Sequence, residues 1–354
     1  MRTRFPVLAS DPSSYASHIV EPGPDIPGNA RPSLVRALRR SVEGMDHRSE
    51  VREFLSTRRG RITPDQAGLP AFGGNRRVPG LRREEVALLA GVSVDYYTRL
   101  ERGDLSGASE SVLDALARAL QLDEAEAAHL FDLAHTANAS PAARRPRKKA
   151  DAVRPSIQRL LDAMTEAAAV LRNNYYDYVA GNALGRALYS PVFTEADPNS
   201  ARFAFLNPAA QEFYPDWDRN TQELVATMRG EAGRNPYDKR LSDLVGELST
   251  RSERFRTLWA AHNVRYHRSG VKRLRHPVVG ELELTYEAFE LPADPGMTLS
   301  TYTAEPNTPS ADALKMLASW AATNAATNEQ REPLRGANAA AEVGADGSGE
   351  IAAE

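Results

Sequence analysis

The chain has 354 residues, of which 42% are hydrophobic and 26% charged, and this is the composition of a globular protein long enough for about two domains. The 44 Lys and Arg residues nearly balance the 47 Asp and Glu residues, and the net charge of −3 excludes a uniformly basic nucleic-acid coat protein. No cysteine is present, which excludes disulfides, thiolate nucleophiles and cysteine-ligated metals. No apolar run approaches the ~18 residues that span a bilayer, so we predict a cytoplasmic protein without a membrane partner.

Changes in composition divide the chain into two folded domains, a linker and two ends. The N-terminal end contains six prolines without a sustained apolar period, and the C-terminal end is rich in Ala, Glu and Gly, so neither is expected to bury a core. A chain that starts at Met45 is therefore expected to fold like the full one. In chain order the predicted segments are a disordered extension at 1–44, a helical domain at 45–138, a basic linker at 139–153, an α+β domain at 154–320 and a disordered acidic tail at 321–354.

The most informative segment lies between Gly80 and Gly103. Glu84 to Ala90 has good helix formers with acidic residues in the first turn, and Gly91 supplies a left-handed residue that ends such a helix. Ser93 can cap the next helix, because its hydroxyl accepts hydrogen bonds from free backbone N–H groups. Two short helices joined by a glycine-containing turn predict a helix-turn-helix.

The second helix of this motif is polar on its outer face. A DNA major groove admits one helix, where Arg99 could read a guanine and Asp95 could accept from a cytosine amine. Between Arg52 and Arg83 stand eight arginines and two acids, a local charge of +6 that favours phosphate contacts. The alternative is a plain helical bundle with solvated arginines. The predicted DNA-contacting set is Arg58, Arg59, Arg82, Arg83, Ser93, Val94, Asp95, Tyr96, Thr98, Arg99 and Arg102.

The helical domain resembles the Cro/C1-type (XRE) DNA-binding family. The resemblance covers about Glu50 to Ala134 and is specific in Val86-Ala87, Gly91-Val92-Ser93 and Arg99-Leu100-Glu101-Arg102-Gly103. It implies an all-α fold of five helices that binds a double-stranded DNA operator. Arg82 stands where the family often has Thr or Ser at the start of the first helix of the motif.

In the second domain the apolar period changes from helical to strand-like. Leu282, Leu284 and Tyr286 alternate with polar residues, which predicts a strand with one buried face, and 297–304 reads as another strand. Helical periods predict helices at 157–171, 221–229, 241–248 and 252–261.

This domain is similar to the ligand-binding domain of MmyB-like transcription regulators, which implies a PAS-like fold with an antiparallel sheet. The resemblance is carried by Asn182-Ala183-Leu184, Phe205-Leu206-Asn207-Pro208, Leu244-Val245-Gly246-Glu247-Leu248, Leu258-Trp259-Ala260-Ala261-His262 and His276-Pro277-Val278-Val279-Gly280. It also implies a small lipophilic effector that is fatty-acid-like. Gly181 replaces a large aromatic residue of the family, and we expect extra room in the pocket there.

Large aromatic residues are unusually frequent in this domain. A sheet with such side chains on its inner face can enclose an apolar cavity, although the same rings can simply fill a core. The predicted ligand-binding residues are Tyr178, Gly181, Leu184, Phe205, Trp259, Tyr286 and Tyr302.

Other functions find little support in the sequence. His262, His267 and His276 lie close in the chain but lack the spacing of zinc ligands, so we predict no metal site and no cofactor. No nucleotide-binding or hydrolase motif occurs, so we predict that the protein is not an enzyme. We predict a regulator that acts at the nucleoid and can form a homodimer. The rival hypotheses are a DNA-targeted enzyme with its activity in residues 154–320 and a protein-interaction scaffold.

Overall fold

The computed structural model describes residues 47–69, 78–138, 153–194 and 197–323. Three predicted segments lie outside these ranges: the N-terminal extension, the basic linker except its last residue, and the tail beyond residue 323. Arg76 and Arg77, two of the eight arginines between Arg52 and Arg83, also lie outside them. None of the helices in the described ranges is long and apolar enough to cross a membrane.

The first domain is all-α, as predicted. Its described part contains five helices: α1 (His47–Arg61), α2 (Arg83–Ala90), α3 (Val94–Glu101), α4 (Glu110–Ala119) and α5 (Glu124–Asn138). Their apolar faces enclose one core, in which Phe54, Val86, Tyr97, Leu116 and Leu130 are almost fully buried. Within this bundle α2 packs against α3 and α4, and α3 also packs against α1.

The ends of α2 and α3 have the caps that the sequence predicts. Gly91 ends α2 with φ 67° and ψ 32°, a left-handed conformation that glycine adopts without a steric penalty. The Ser93 hydroxyl accepts a hydrogen bond from the Tyr96 N–H at 3.1 Å. Arg82 occupies the N-cap position of α2, and its backbone N–H donates to the Glu85 carboxylate at 2.6 Å. The turn between α2 and α3 is thus fixed by local chemistry.

The second domain is α+β, with a five-stranded antiparallel sheet in the order β2-β1-β5-β4-β3. In chain order its described elements are α6 (Pro155–Ala163), β1 (Ala168–Asn173), β2 (Tyr178–Gly181), α7 (Ala183–Leu188), α8 (Ser190–Phe193), α9 (Ser200–Leu206), α10 (Ala209–Phe213), α11 (Trp217–Arg234), α12 (Lys239–Arg251), α13 (Glu253–Ala260), β3 (Ser269–His276), β4 (Gly280–Glu290), β5 (Met297–Thr303) and α14 (309–323).

One predicted helix boundary is wrong. The helix predicted at 157–171 ends at Ala163, and the chain enters β1 at Ala168 because that strand pairs with both β2 and β5. Tertiary packing overrides the local apolar pattern there. The helix α14 continues to residue 323, and Ala321 is buried on its inner side.

The sheet has two differently covered faces. Ala168 and Val170 of β1 join the larger core beneath the helices α7 to α11, while Ala169 and Leu171 join a smaller core against α6. The predicted inward strand residues of β4, from Leu282 to Tyr286, belong to the larger core. The same alternation brings Arg172 of β1 and Lys272 of β3 to the inner face, where both line a cavity.

The two domains share an interface. Helix α5 packs against α11, and Val264, which follows α13, is buried in the core of the first domain. A Cβ atom at Gly233 of α11 would overlap the ring of His129 on α5. Only glycine permits this close approach, so the interface depends on a residue that carries no side chain.

Candidate nucleic-acid interface and effector cavity

The outer face of α3 carries the residues predicted to meet base edges. Val94, Asp95 and Arg99 are exposed, and Tyr96 and Thr98 are half-buried. The Arg99 guanidinium lies 4.9 Å from the centroid of the Tyr96 ring, which restrains its direction.

The inner face of α3 is fixed by a buried carboxylate. Glu101 accepts hydrogen bonds from Arg59 of α1 at 2.7 and 3.1 Å and from Nε of Arg83 at the start of α2 at 3.1 Å. Burial acts to raise the pKa of Glu101, but the hydrogen bonds and charges of the two arginines hold it below its ordinary value. The three helices are therefore locked together by an ion pair, and α3 has one defined orientation.

Arg58 does not lie at the DNA-facing surface, and its predicted phosphate role is wrong. Its side chain is 2% exposed, pairs with Glu126 at 2.9 Å and donates to the carbonyl oxygen of His262. Burial lowers the pKa of Arg58 to about 10. Arg59 is also largely buried against Glu101 and donates to the Leu81 carbonyl at 2.8 Å, so it supports α3 from behind.

The other predicted DNA residues remain available at the surface. Arg82 is exposed beside Glu84 at 3.3 Å, and Arg83 is half-exposed although it contacts Glu101. Arg102 is exposed at the C-terminal end of α3. The surface set is Arg82, Arg83, Ser93, Val94, Asp95, Tyr96, Thr98, Arg99 and Arg102.

A buried ionic cluster joins the two domains. Arg229 of α11 donates from Nη1 to both carboxylate oxygens of Glu50 on α1 at 2.7 Å. The same carboxylate lies 3.6 Å from Nε2 of His129 and 3.5 Å from Nδ1 of His262. Burial opposes ionisation of Glu50, yet the charge of Arg229 and hydrogen bonds from the histidines hold its pKa well below the ordinary value.

Sequence reasoning missed this cluster, although a local signal exists. Arg229 lies three and four residues from Ala226, Val225, Ala232 and Gly233, all of which are buried. A charged residue in the middle of an apolar helix face requires a buried partner. The partner itself, Glu50, gives no comparable signal in the sequence.

A cavity lies between the inner face of the sheet and α11, and its volume is about 60 Å³. Tyrosine is the most frequent residue in its wall. The lining residues are Arg172, Tyr176, Tyr178, Tyr189, Ser200, Tyr214, Asn220, Glu223, Leu224, Thr227, His267, Lys272, Ser300 and Tyr302.

The tyrosines form a packed group of neutral phenols. The rings of Tyr178 and Tyr302 lie 5.3 and 5.4 Å from the ring of Tyr189. Burial raises the pKa of each of these hydroxyls, and that of Tyr214, above its ordinary value. The wall therefore offers apolar ring faces together with hydroxyl groups that can donate hydrogen bonds.

Two cations also reach the cavity. The ammonium of Lys272 donates to Oδ1 of Asn220 and lies 5.3 Å from the Tyr214 ring, and burial lowers its pKa to about 8. The guanidinium of Arg172 lies 4.3 Å from the Tyr176 ring. Within the described ranges neither cation has a carboxylate at ion-pair distance.

The other charged groups around the cavity are accounted for. Glu223 pairs with Arg219 at 2.8 Å. His267 is neutral because burial, aided by the charges of Lys272 and Arg172, lowers its pKa to about 3. The charged residues of the wall are therefore Arg172, Lys272 and the Arg219-paired Glu223.

Two of the predicted ligand-binding residues, Tyr178 and Tyr302, line the cavity. Tyr286 lies behind its wall, where the ring stacks on His267 at 4.3 Å and the hydroxyl is 3.1 Å from Nδ1. Phe205 and Trp259 pack on Phe255 in a separate core. Neither of these two residues lines the cavity.

Gly181 and Leu184 also lie away from the cavity. A Cβ atom at Gly181 would be 3.1 Å from the Ala169 carbonyl oxygen and 3.4 Å from a Val170 methyl. Leu184 is buried in the core beneath α7. The extra room expected at Gly181 is absent, because neighbouring backbone and side chains fill it.

The sequence prediction did not include the cavity cations Arg172 and Lys272. Period-two alternation could have identified them, since Lys272 shares a strand face with Leu274 and His276, and Arg172 shares one with Val170. A polar residue that shares a strand face with buried residues indicates a functional site more clearly than another aromatic residue does.

The three histidines that the sequence brings close together have separate surroundings. His262 contacts Glu50 and Glu53, His267 stacks on Tyr286, and Nε2 of His276 lies 3.0 Å from the Ala187 carbonyl oxygen. In the described part of the chain no group of three or more His, Asp or Glu side chains could hold a metal ion.

Comparison with protein families agrees with both resemblances. Residues 33–130 match a helix-turn-helix domain, and residues 153–317 match the MmyB-like transcription regulator ligand binding domain. The first match begins inside the segment predicted to be an extension. No curated protein matches the chain.

The two matches define the class of protein. A helix-turn-helix domain followed by a ligand-binding domain is the composition of a DNA-binding transcription regulator, and neither family is enzymatic. Together the two matches are consistent with an XRE-like regulator that carries an MmyB-like ligand-binding domain.

Proposed function

We propose that the protein binds a specific DNA operator through α3 and that a small molecule bound in the second domain changes this affinity. The observation that carries the first part is the contrast between the two faces of α3. Glu101 is locked inside by Arg59, whereas Val94, Asp95 and Arg99 are exposed. A rigid helix with a polar outer face suits the major groove.

The effector site is the tyrosine-lined cavity. At about 60 Å³ the closed cavity has room for about two water molecules, at roughly 30 Å³ each. A lipophilic, fatty-acid-like effector, as the family resemblance implies, would enter only if α11 moved away from the sheet. Ring faces of Tyr178, Tyr189 and Tyr302 would then receive its apolar part.

Helix α11 supplies a route from the cavity to the DNA-binding domain. Asn220, Glu223 and Thr227 face the cavity, and Arg229 on the same helix is bonded to Glu50 of the first domain. A ligand that displaces α11 would therefore disturb the interdomain cluster. Coupling of this kind requires that the ligand bind more tightly to one of two domain arrangements.

We further propose that the protein acts in the cytoplasm at the nucleoid and binds DNA as a homodimer. Two copies of α3 in a dimer would reach half-sites about 34–36 Å apart. Light scattering with and without operator DNA tests this, and a 1:1 complex on a single half-site would contradict it.

Sequencing of the DNA fragments bound by a tagged full chain in cells tests the proposed function. We expect a shared motif, and fluorescence anisotropy on that motif should show affinity that falls steeply with salt. An equally steep curve for scrambled DNA, without a preference for the motif, would contradict sequence-specific binding. Affinity that does not depend on salt would favour the scaffold hypothesis.

A further inference from the structure

A short segment of the second domain, from Ala261 to Tyr266, is built into the first domain. The segment connects α13 to β3. Val264 is 5% exposed and belongs to the core of the five-helix bundle, and Tyr266 packs against the same core. The DNA-binding domain is therefore completed by side chains that the other domain supplies.

The segment holds α1 along one side. The carbonyl oxygen of His262 accepts a hydrogen bond from Arg58, and Oδ1 of Asn263 accepts one from Arg61. Nε2 of His262 lies 2.6 Å from the carboxylate of Glu53. These contacts extend from the second turn of α1 to its last residue, so the position of this helix depends on the segment.

His262 has a backbone conformation that disfavours its residue type. Its φ of 52° is left-handed, and it follows the C-cap residue of α13, a position that glycine commonly occupies. Its buried ring lies between the carboxylates of Glu50 and Glu53. Strained residues of this kind persist where surrounding contacts hold them, and they cluster at switch regions. The contacts with α1 therefore maintain the strain at His262.

We propose that residues 261–266 form a latch that holds α1, and through it α3, in the DNA-binding arrangement, and that this latch opens at His262. The inference rests on the proposed function and assigns the contact that regulates it. While the latch is closed the outer face of α3 is exposed, so the closed state is the one that binds DNA. Opening of the latch releases α1 and lowers operator affinity.

Helix α1 connects the latch to α3. Glu50 faces the latch, with a carboxylate oxygen 3.5 Å from Nδ1 of His262. Arg59 follows nine residues later, which is two and a half turns at 3.6 residues per turn, so it projects from the opposite side of α1. There it donates to Glu101 of α3 at 2.7 Å. A rotation of α1 therefore moves the arginine that fixes α3.

Both ends of the latch are attached to the helix that lines the cavity. Arg229 of α11 donates to the carbonyl oxygen of Trp259, just before the latch. Near its other end, the N–H of Arg265 donates to the carbonyl oxygen of Ala226 at 3.3 Å. Thr227 on the same helix lines the cavity. A displacement of α11 would therefore pull on the latch.

His262→Gly in the full chain tests the latch. Glycine suits the left-handed position and preserves the end of α13, so the variant removes the ring contacts with α1 alone. We expect hydrogen exchange of the α1 amides, measured by mass spectrometry, to accelerate at least about tenfold. Affinity for the DNA motif recovered from cells should fall at least about fivefold.

Asn307→Gly is the matched control. Asn307 is also left-handed, with φ 62°, but it is exposed in the turn before α14. Both readouts should keep their wild-type values in this variant. If His262→Gly does not fold, Asn263→Ala removes only the contact with Arg61 and should change both readouts in the same direction, at least about twofold.

Two outcomes would overturn the proposal: wild-type exchange of α1 in the latch variant, and faster exchange of α1 with wild-type affinity for the motif. Binding of the wild-type chain to the motif and to scrambled DNA is measured in parallel. A wild-type chain without preference for the motif refutes the proposed function instead, and the exchange of α1 and α3 then decides whether the latch holds these helices.

Discussion

The ionic cluster between the domains gives the largest predicted effect of a single substitution. Arg229→Met removes the guanidinium while the four-atom side chain still fills most of the space. Glu50 then loses its two hydrogen bonds of 2.7 Å and keeps only the imidazoles of His129 and His262 nearby. The substitution therefore leaves a carboxylate buried without its full counter-charge.

The magnitude follows from burial on both sides of the pair. The Arg229 side chain is 1% exposed and that of Glu50 is 9% exposed, so solvent cannot replace the lost partner. Breaking such a pair typically costs about 3–5 kcal/mol. Loss of the contact between the guanidinium and the Trp259 ring at 4.0 Å adds to this cost.

Urea unfolding at pH 7 measures the effect. Arg251→Met is the control, because Arg251 is 59% exposed and pairs with Glu247 on the same helix at 2.8 Å; it should cost no more than about 0.5 kcal/mol. The double variant Glu50→Gln/Arg229→Met removes both charges and should be more stable than Arg229→Met alone. A cost for Arg229→Met below about 1 kcal/mol, equal to that of the control, would refute a buried interdomain pair.

Three further predictions concern α3, the turn before it and the cavity. Arg99→Ala should cost ~1–3 kcal/mol on the preferred operator and relax one base position, whereas Arg102→Ala should weaken binding to all DNA alike; equal losses for Arg99→Ala on operator and scrambled DNA in anisotropy titrations would remove it from base reading. Gly91→Ala should lower the free energy of unfolding by about 1 kcal/mol because of the φ of 67°, and an unchanged urea midpoint would contradict this. Burial lowers the pKa of Lys272 to about 8, against 10.5 for an ordinary lysine. Between these two pH values the unfolded chain therefore binds more protons than the folded chain, and the stability of the folded chain rises with pH. Lys272→Met should therefore raise the melting temperature at pH 7 and lose this advantage near pH 10.5; a gain that does not change with pH would contradict the assignment.

The features that the sequence predicts well are set by neighbouring residues. The left-handed Gly91 and the Ser93 cap depend only on local chain geometry. The inward face of β4 follows from strict alternation. These features are sufficient to identify the helix-turn-helix and the sheet.

The errors all involve contacts between distant segments. Arg58 looks like a surface arginine in its local run, and only Glu126 and the loop at His262 bury it. Phe205 and Trp259 were predicted to bind a ligand because they are large aromatics, but both pack on Phe255 in a core separate from the cavity. The pairing of Glu50 with Arg229 spans 179 positions, and no local pattern specifies such a partner.

The affinity of the full chain for its operator, with and without a saturating fatty-acid-like effector, tests the central claim most directly. We predict a change of about 5- to 150-fold for the wild type, the usual range of coupling between two sites. Wild-type affinities that are identical with and without bound effector would show that the cavity does not control DNA binding.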